Sequence, residues 1–295
     1  MRYLYMINII IYVIMENLHI DPIDSEFFLS SPDNESVSNE PNNTTPKVIF
    51  IVPYRDREQQ LLFFQRQMQY ILEDYNENEC KIIISHQYDK RSFNCGAMKN
   101  IGFLIAKQLY PTTYQDITLV FNDVDTMPFN KNFLQFETKR GIVKHFYGFK
   151  HTLGGIVSIN AKDFEQINGF PNFWAWGYED NLFYERVKQN RLAIDRNQFY
   201  PFADKNILHF YDGYLKQVNK KEFDRYVQQT KEGIHSIHRL HYVFNDTTNT
   251  YDIDSFETGT HEDSRATKIH DLHNGTTPYN NIRSGRGATM SLLRL

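Results

Sequence analysis

The stretch Ile117-Thr118-Leu119-Val120-Phe121-Asn122-Asp123-Val124-Asp125 decides the fold. Ile117 to Phe121 is a short run of apolar and β-branched residues without a polar face, the mark of a strand buried on both sides. It stops on two carboxylates with one residue between them. The same arrangement occurs twice upstream. Val48 to Val52 is a buried strand ended by Pro53, and Arg57 to Tyr75 then carries apolar residues at helical spacing (Leu61, Leu62, Phe64, Met68, Ile71, Leu72, Tyr75). Lys81 to Ser85 is a second strand and Asn94 to Leu109 a second helix. Strands alternating with helices predict an α/β fold around a parallel, doubly wound sheet. Ligands of such sheets sit beyond the carboxyl ends of the strands, where Arg55, Arg57, Asp123 and Asp125 fall. Further on, Val143 to Phe149 and Gly155 to Ile159 read as strands, and Glu179 to Gln189 and Lys221 to Lys231 as helices. Periodicity fades after Asp254, and Ser284 to Leu295 reads as a loose tail.

At 295 residues the chain is long enough for one large domain with a sizeable core. Its net charge of −4 gives no bulk basic footprint, so nucleic acid is not expected as a partner. We divide it into an N-terminal apolar segment and extension (1–29), a polar linker (30–46), one domain (47–254) and a C-terminal tail (255–295). Ser30 to Pro46 is rich in Ser, Asn and Pro and lacks periodicity. Tyr3 to Met15 is apolar apart from Asn8, shorter than the ~18–20 residues a spanning helix needs, and no small-residue cleavage site follows it. It reads as a signal anchor attaching the protein to a membrane, as a strand or helix packed on the domain, or as a frayed extension. Cys80 and Cys95 are the only cysteines. They are too few for a thiolate cluster and enough for one bridge if the fold brings them together.

Three constellations carry chemistry. Asp123 and Asp125 can share a divalent ion that in turn holds a diphosphate. Phosphatases of the haloacid-dehalogenase class also place such a motif after a strand, but theirs is the first strand and is followed by Thr or Val where Met127 stands here. Pro53-Tyr54-Arg55-Asp56-Arg57-Glu58 sets two guanidinium groups two residues apart, and the planar fork of Arg suits phosphate; otherwise it is a charged helix start. Asn172-Phe173-Trp174-Ala175-Trp176-Gly177-Tyr178-Glu179-Asp180-Asn181 puts both tryptophans of the chain against two carboxylates. An indole stacks on the apolar face of a pyranose while a carboxylate takes a hydroxyl proton; otherwise the segment is an acidic helix start. His209, after Asn206-Ile207-Leu208, can offer a nitrogen ligand. His235, His238 and His241 lack helical spacing in their surroundings and are not taken as a site.

Together these pieces resemble the β-1,4-galactosyltransferase family, the inverting GT-A enzymes of glycosyltransferase family 7, including the xylosylprotein galactosyltransferase branch. The likeness runs in order from about Val48 to Asp254 through VPYRDRE, FNCGAMKNIGF, FNDVDTMP, GGIVSIN, NGFPNFWAWGYEDN and ILHF, followed by EFDRYVQQTKEGIHSI, similar to the family's C-terminal helix and strand. The resemblance implies a GT-A fold with a central, mostly parallel sheet flanked by helices. It implies a UDP-sugar donor held by Pro53, Arg55, Arg57, Phe93, Asp123, Val124, Trp176 and Gly177, with Phe93 in the uracil pocket and Gly177 as a loop hinge. It implies Mn²⁺ bound by Asp125 and His209, a mixed oxygen and nitrogen set that suits this ion. Asp180 becomes the catalytic base with Glu179 beside it. A glycan or glycoconjugate acceptor would lie near Gly155, Trp176 and Asn181. The expected activity is transfer of a hexose, galactose favoured, with inversion, in a Golgi-type or secretory setting.

Four departures from the family pattern stand out. Asn181 replaces an Asp that contacts the acceptor. Thr152 stands two residues before the paired glycines, where an aromatic side chain is common, and the smaller residue makes room for the N-acetyl group of UDP-GalNAc. The third metal ligand, a Met or His in relatives, falls at Asn206 or Ile207. The disulfide cysteines of the animal enzymes have no clear counterparts. A non-catalytic carbohydrate-binding relative is the alternative of a different class; retention of Asp125 and Asp180 argues against it.

Overall fold

The structure is a computed structural model that describes residues 45–279 apart from 77, 212 and 276. The apolar segment Tyr3 to Met15, nearly all of the polar linker and Ser284 to Leu295 lie outside the described residues. In chain order the elements are β1 (Val48–Tyr54), α1 (Glu58–Ile71), β2 (Cys80–Gln87), α2 (Cys95–Leu109), β3 (Thr118–Asn122), β4 (Thr126–Pro128), β5 (Ile142–Gly148), β6 (Ile156–Asn160), α3 (Ala161–Gln166), α4 (Glu179–Gln189), β7 (Ala193–Asp195), β8 (Tyr200–Pro201), β9 (Ile207–His209), β10 (Leu215–Asn219), α5 (Lys220–Val227), β11 (His238–Asn245), β12 (Thr250–Glu257) and β13 (Thr267–Asp271).

The main sheet runs β11-β12-β2-β1-β3-β6-β5-β7, with β8 also on β5. β1 lies parallel to both β2 and β3, and β12 parallel to β2. β6 is antiparallel to β3 and β5, and β11 to β12. The sheet is therefore mixed around a parallel centre, in keeping with the mostly parallel sheet expected. A strand buried on both faces has the same sequence character in either direction, so β6 gives no sign of its reversal.

Alternate residues of β1 feed two cores. Ile49 and Ile51 pack with Ala97, Met98, Ile101 and Ile105 of α2 and with Phe164 and Phe183 on one face. Val48, Phe50 and Val52 pack with Leu61, Phe64, Met68 and Ile71 of α1 on the other. The period of two in the strand and of 3.6 in each helix thus meet in a three-layer sandwich. Asn94 caps α2, its side-chain oxygen accepting from the Ala97 amide at 2.9 Å.

Several boundaries shift. β1 does not end at Pro53 but runs through it to Tyr54. Pairing with β3 stops at Ile51, so by Pro53 the strand has a neighbour on one side only, where a missing N–H is tolerated. α5 ends at Val227 rather than Lys231, and His235 sits in a 3-10 turn (Ile234–Ser236) rather than a strand. A boundary at Asp254 falls inside β12, and β13 beyond it pairs with β10. Cys80 and Cys95 are both free. No helix among the described residues is long and apolar enough to cross a membrane.

Candidate functional site

β4 and β9 form a two-stranded antiparallel ribbon that pairs Thr126 with His209. The Phe210 amide donates to the Asp125 carbonyl at 2.8 Å, which fixes the residues flanking both strand ends. Asp125 Oδ1 and His209 Nε2 are consequently 4.0 Å apart. The remaining Asp125 oxygen, Oδ2, accepts from Arg57 Nη1 at 2.7 Å, and Thr126 Oγ1 donates to Oδ1 at 3.0 Å. On its far side the His209 ring meets the Tyr147 hydroxyl through Nδ1 at 3.0 Å. That hydroxyl also accepts the Ala203 amide, so the imidazole is oriented with Nε2 toward Asp125, as a metal-ligating histidine usually is by an outer partner. Burial pushes the Asp125 carboxyl up from its ordinary range, as does Asp123, while His209 and Arg57 pull it down.

Donors each about 2 Å from an ion can lie up to about 4 Å apart, so this oxygen and nitrogen fit a divalent ion such as Mn²⁺. Neither position expected for a third ligand joins them. The Asn206 amide is turned onto Asp204, and Ile207 is buried in the apolar core. No group of three or more metal-ligating His, Cys, Asp or Glu side chains occurs among the described residues, leaving the rest of a coordination shell to ligand and water.

A second cluster forms at the start of α4. Asp180 lies in its first turn, beside Gly154: a Cβ on that glycine would stand 2.1 Å from Asp180 Oδ2. Asp180 is tied to the aspartate turn by a lysine that sequence reasoning did not single out. Lys99 of α2, only 2% exposed, donates to Asp180 Oδ1 at 3.1 Å and stands 3.6 Å from Asp123 Oδ1. Burial disfavours its charge, but Asp180, Cys95, Asp123 and Glu179 together hold its pKa well above the usual lysine value. Asp180 itself is raised by burial and by Asp123, against the pull of Lys99. Glu179 is raised to about 7 by burial and by Asp180, and its Oε2 is buried without a hydrogen-bond partner. Asn181 follows in the same turn, partly exposed.

The two tryptophans divide. Trp174 is buried, stacks on Phe256 and donates to the Thr260 carbonyl at 3.0 Å; it anchors the loop. Trp176 is 39% exposed, its amide held by the Gln217 carbonyl of β10 at 2.7 Å. Around it Ala175, Gly177 and Tyr178 have φ of 72°, 109° and 73°. Two non-glycine residues in the left-handed region mark a strained loop. Gly177 has open space about its Cα, which suits a hinge.

The remaining expected residues are placed less evenly. Pro53 is buried in β1, and Val124 is buried as the middle residue of the aspartate turn. The Gly155 carbonyl accepts the Asp123 amide at 3.2 Å, and the Phe93 carbonyl accepts the Ala175 amide at 3.0 Å. Arg55 does not stand beside Arg57: its guanidinium is bound to the Arg91 carbonyl and to Asp56. His238 and His241 lie on β11 against Glu257 and Asp254, far in role from the ribbon that holds His209.

A mixed sheet with arginines and paired aspartates at its carboxyl edge, and a helix-borne carboxylate opposite them, defines the GT-A architecture of nucleotide-sugar transferases. A sequence model described as the N-terminal region of glycosyl transferase group 7 matches residues 21–136, and one described as the N-terminal domain of galactosyltransferase matches residues 141–212. The chain belongs to glycosyltransferase family 7. It is 33% identical over 159 residues to a xylosylprotein 4-beta-galactosyltransferase of Caenorhabditis elegans, covering 51% of this chain and 53% of that protein. It is 29% identical over 195 residues to beta-1,4-galactosyltransferase 1 of Bos taurus, covering 63% and 47%. The chain thus spans about half the length of the curated relatives it matches. Its fold matches the catalytic domain of Drosophila β-1,4-galactosyltransferase 7 bound to xylobiose, with a TM-score of 0.59 at 22% identity over 75% of this chain and 97% of that one. A mutant of the same enzyme in complex with manganese, UDP-Gal and xylobiose gives 0.58 at 24% identity, with the same coverage.

Proposed function

We propose that the protein is a metal-dependent, inverting glycosyltransferase that moves a hexose from a UDP-sugar to a hydroxyl of a glycan or glycoconjugate. One observation carries the reading. Asp180 is held, through a single lysine, beside the Asp123-Val124-Asp125 turn at the carboxyl end of β3. A base and an ion-binding carboxylate thus flank one cleft, and family membership gives that cleft its substrate class.

Asp180 takes the proton of the acceptor hydroxyl, a poor nucleophile at neutral pH. Arg57 and, once turned from the Arg91 carbonyl, Arg55 bind the diphosphate and stabilise the charge that develops as UDP leaves. Phe93 lines the uracil side, and Asp123 and Val124 lie against ribose and donor sugar. Asp125 and His209 would hold the Mn²⁺, which when bound neutralises the diphosphate. Trp176 covers the sugars and, pivoting at Gly177, excludes water. Asn181 and Gly155 border the acceptor, and Asn181 cannot accept a hydroxyl proton as an aspartate can.

Galactose is the favoured donor sugar. GalNAc is the second reading, supported by Thr152, a small residue whose hydroxyl is bound back onto the Phe149 carbonyl at 3.3 Å. Residence in the secretory pathway follows from the family reading alone. The test is UDP release from a panel of UDP-sugars with Mn²⁺, followed by an acceptor array with the best donor. Asp180→Ala is expected to lower kcat by about 10²–10⁴, and Asp125→Ala to abolish dependence on added metal. UDP release that survives Asp180→Ala would overturn the base assignment, metal-dependent release that survives Asp125→Ala the metal assignment, and no release from any donor would leave a carbohydrate-binding protein.

A further inference from the structure

Lys99 occupies a place that packing alone does not explain. It lies one turn into α2, a helix buried on nearly every side, on the face it shares with Gly96, Gly102 and Phe103. A lysine there costs desolvation, and an apolar side chain of similar length would fill the space against the Phe170 ring, which the ammonium meets at 4.7 Å. Its ammonium instead serves both halves of the cleft, the base at 3.1 Å and the first aspartate of the turn at 3.6 Å. The titratable groups facing this pair are Asp123 beyond β3, Cys95 on α2, and Glu179 beside Asp180 on α4. Without a cation there, Asp180 would stand near Asp123 and beside Glu179 with nothing to offset the like charges, which disfavours ionisation of the base.

We propose that Lys99 is a positioning residue for transfer: by bridging Asp180 and Asp123 it keeps the base ionised and aimed, and sets the pH at which it works. The inference rests on the transferase reading above and deepens it. Because Lys99 pairs with both carboxylates, it also ties the base on α4 to the turn that carries donor and metal, so a shift of either half is felt by the other.

Two measurements test this on the full chain. In the first, ¹³C-labelled aspartate is followed by NMR, with the Asp180 resonance assigned through Asp180→Asn. Lys99→Met, or Lys99→Gln should the first variant fold poorly, is expected to move the Asp180 titration upward by about one pH unit or more, and Lys99→Arg to bring it back toward wild type. In the second, the acidic limb of the kcat/KM profile for UDP-sugar transfer is expected to move in the same direction and by a similar amount. A purely structural lysine would lower Tm and the active fraction without moving either curve. A folded Lys99→Met protein whose Asp180 titrates as in wild type overturns the inference. If wild type transfers no sugar, the functional reading falls, and the NMR titration still decides the role of Lys99.

Discussion

At the scale of single residues, the cleft is set by close approaches as much as by charged groups. Gly154 gives Asp180 the space in which it stands, since any Cβ there would strike the carboxylate. Gly154→Ala is therefore expected to displace the base and lower kcat about 10²-fold, with KM for the donor nearly unchanged, as steady-state kinetics would show. Glu179 bears on stability as well. Its folded-state pKa, raised from 4.5 to about 7 by burial and by Asp180, means that the folded protein holds this proton more tightly than the unfolded chain. Its contribution is full below the unfolded value and is lost as pH rises through about 7. Glu179→Gln is expected to remove that loss and raise stability at pH 8 by about 2–3 kcal/mol, with little change at pH 4. Thermal melts across this range would read it, and an unchanged pH slope would count against the buried-carboxyl account. Lys99 was not legible in the sequence because a lone lysine in an apolar helix pattern reads as a surface residue. Only the packing of the 168–181 segment onto α2 reveals its partners.

At the scale of elements, the first turns of α2 act as a mount for the loop that leads into Asp180. The buried Asn100 side chain accepts the Phe170 amide at 2.9 Å and donates to the Phe170 carbonyl at 2.8 Å and to Asn172 Oδ1 at 2.9 Å. Phe93 ties down the middle of the loop and Lys99 its end. Asn100→Ala leaves several buried groups unpaired and is expected to cost about 2–3 kcal/mol. Its signature is faster amide hydrogen exchange over 170–178 than over the main sheet. The strand–helix units that form this mount were plain in the sequence, since their apolar residues recur at fixed periods. The β4–β9 ribbon was not, because three-residue strands have no measurable period. Their pairing joins segments remote in sequence, so His209 could be placed near Asp125 only through the family likeness.

At the scale of the whole molecule, the parallel centre of the sheet was readable from its buried strands, whereas the reversal at β6 and the pairing of β13 with β10 were not. The strand beyond Asp254 is not legible because β13 has a single apolar residue, Ile269, in its five positions. The two faces of the ribbon have a mechanical meaning. An ion held between Asp125 and His209 would close a loop of roughly 80 residues, acting as a removable cross-link whose effect on the unfolded chain resembles that of a covalent one. Mn²⁺ at about 100 times its dissociation constant is then expected to add about 2.7 kcal/mol to folding stability, an increment that Asp125→Ala or His209→Ala abolishes in a thermal-shift assay. Chelation would become more than loss of a cofactor: it would remove this increment and raise the fraction of chain open to proteases, making metal supply a control on the protein's lifetime.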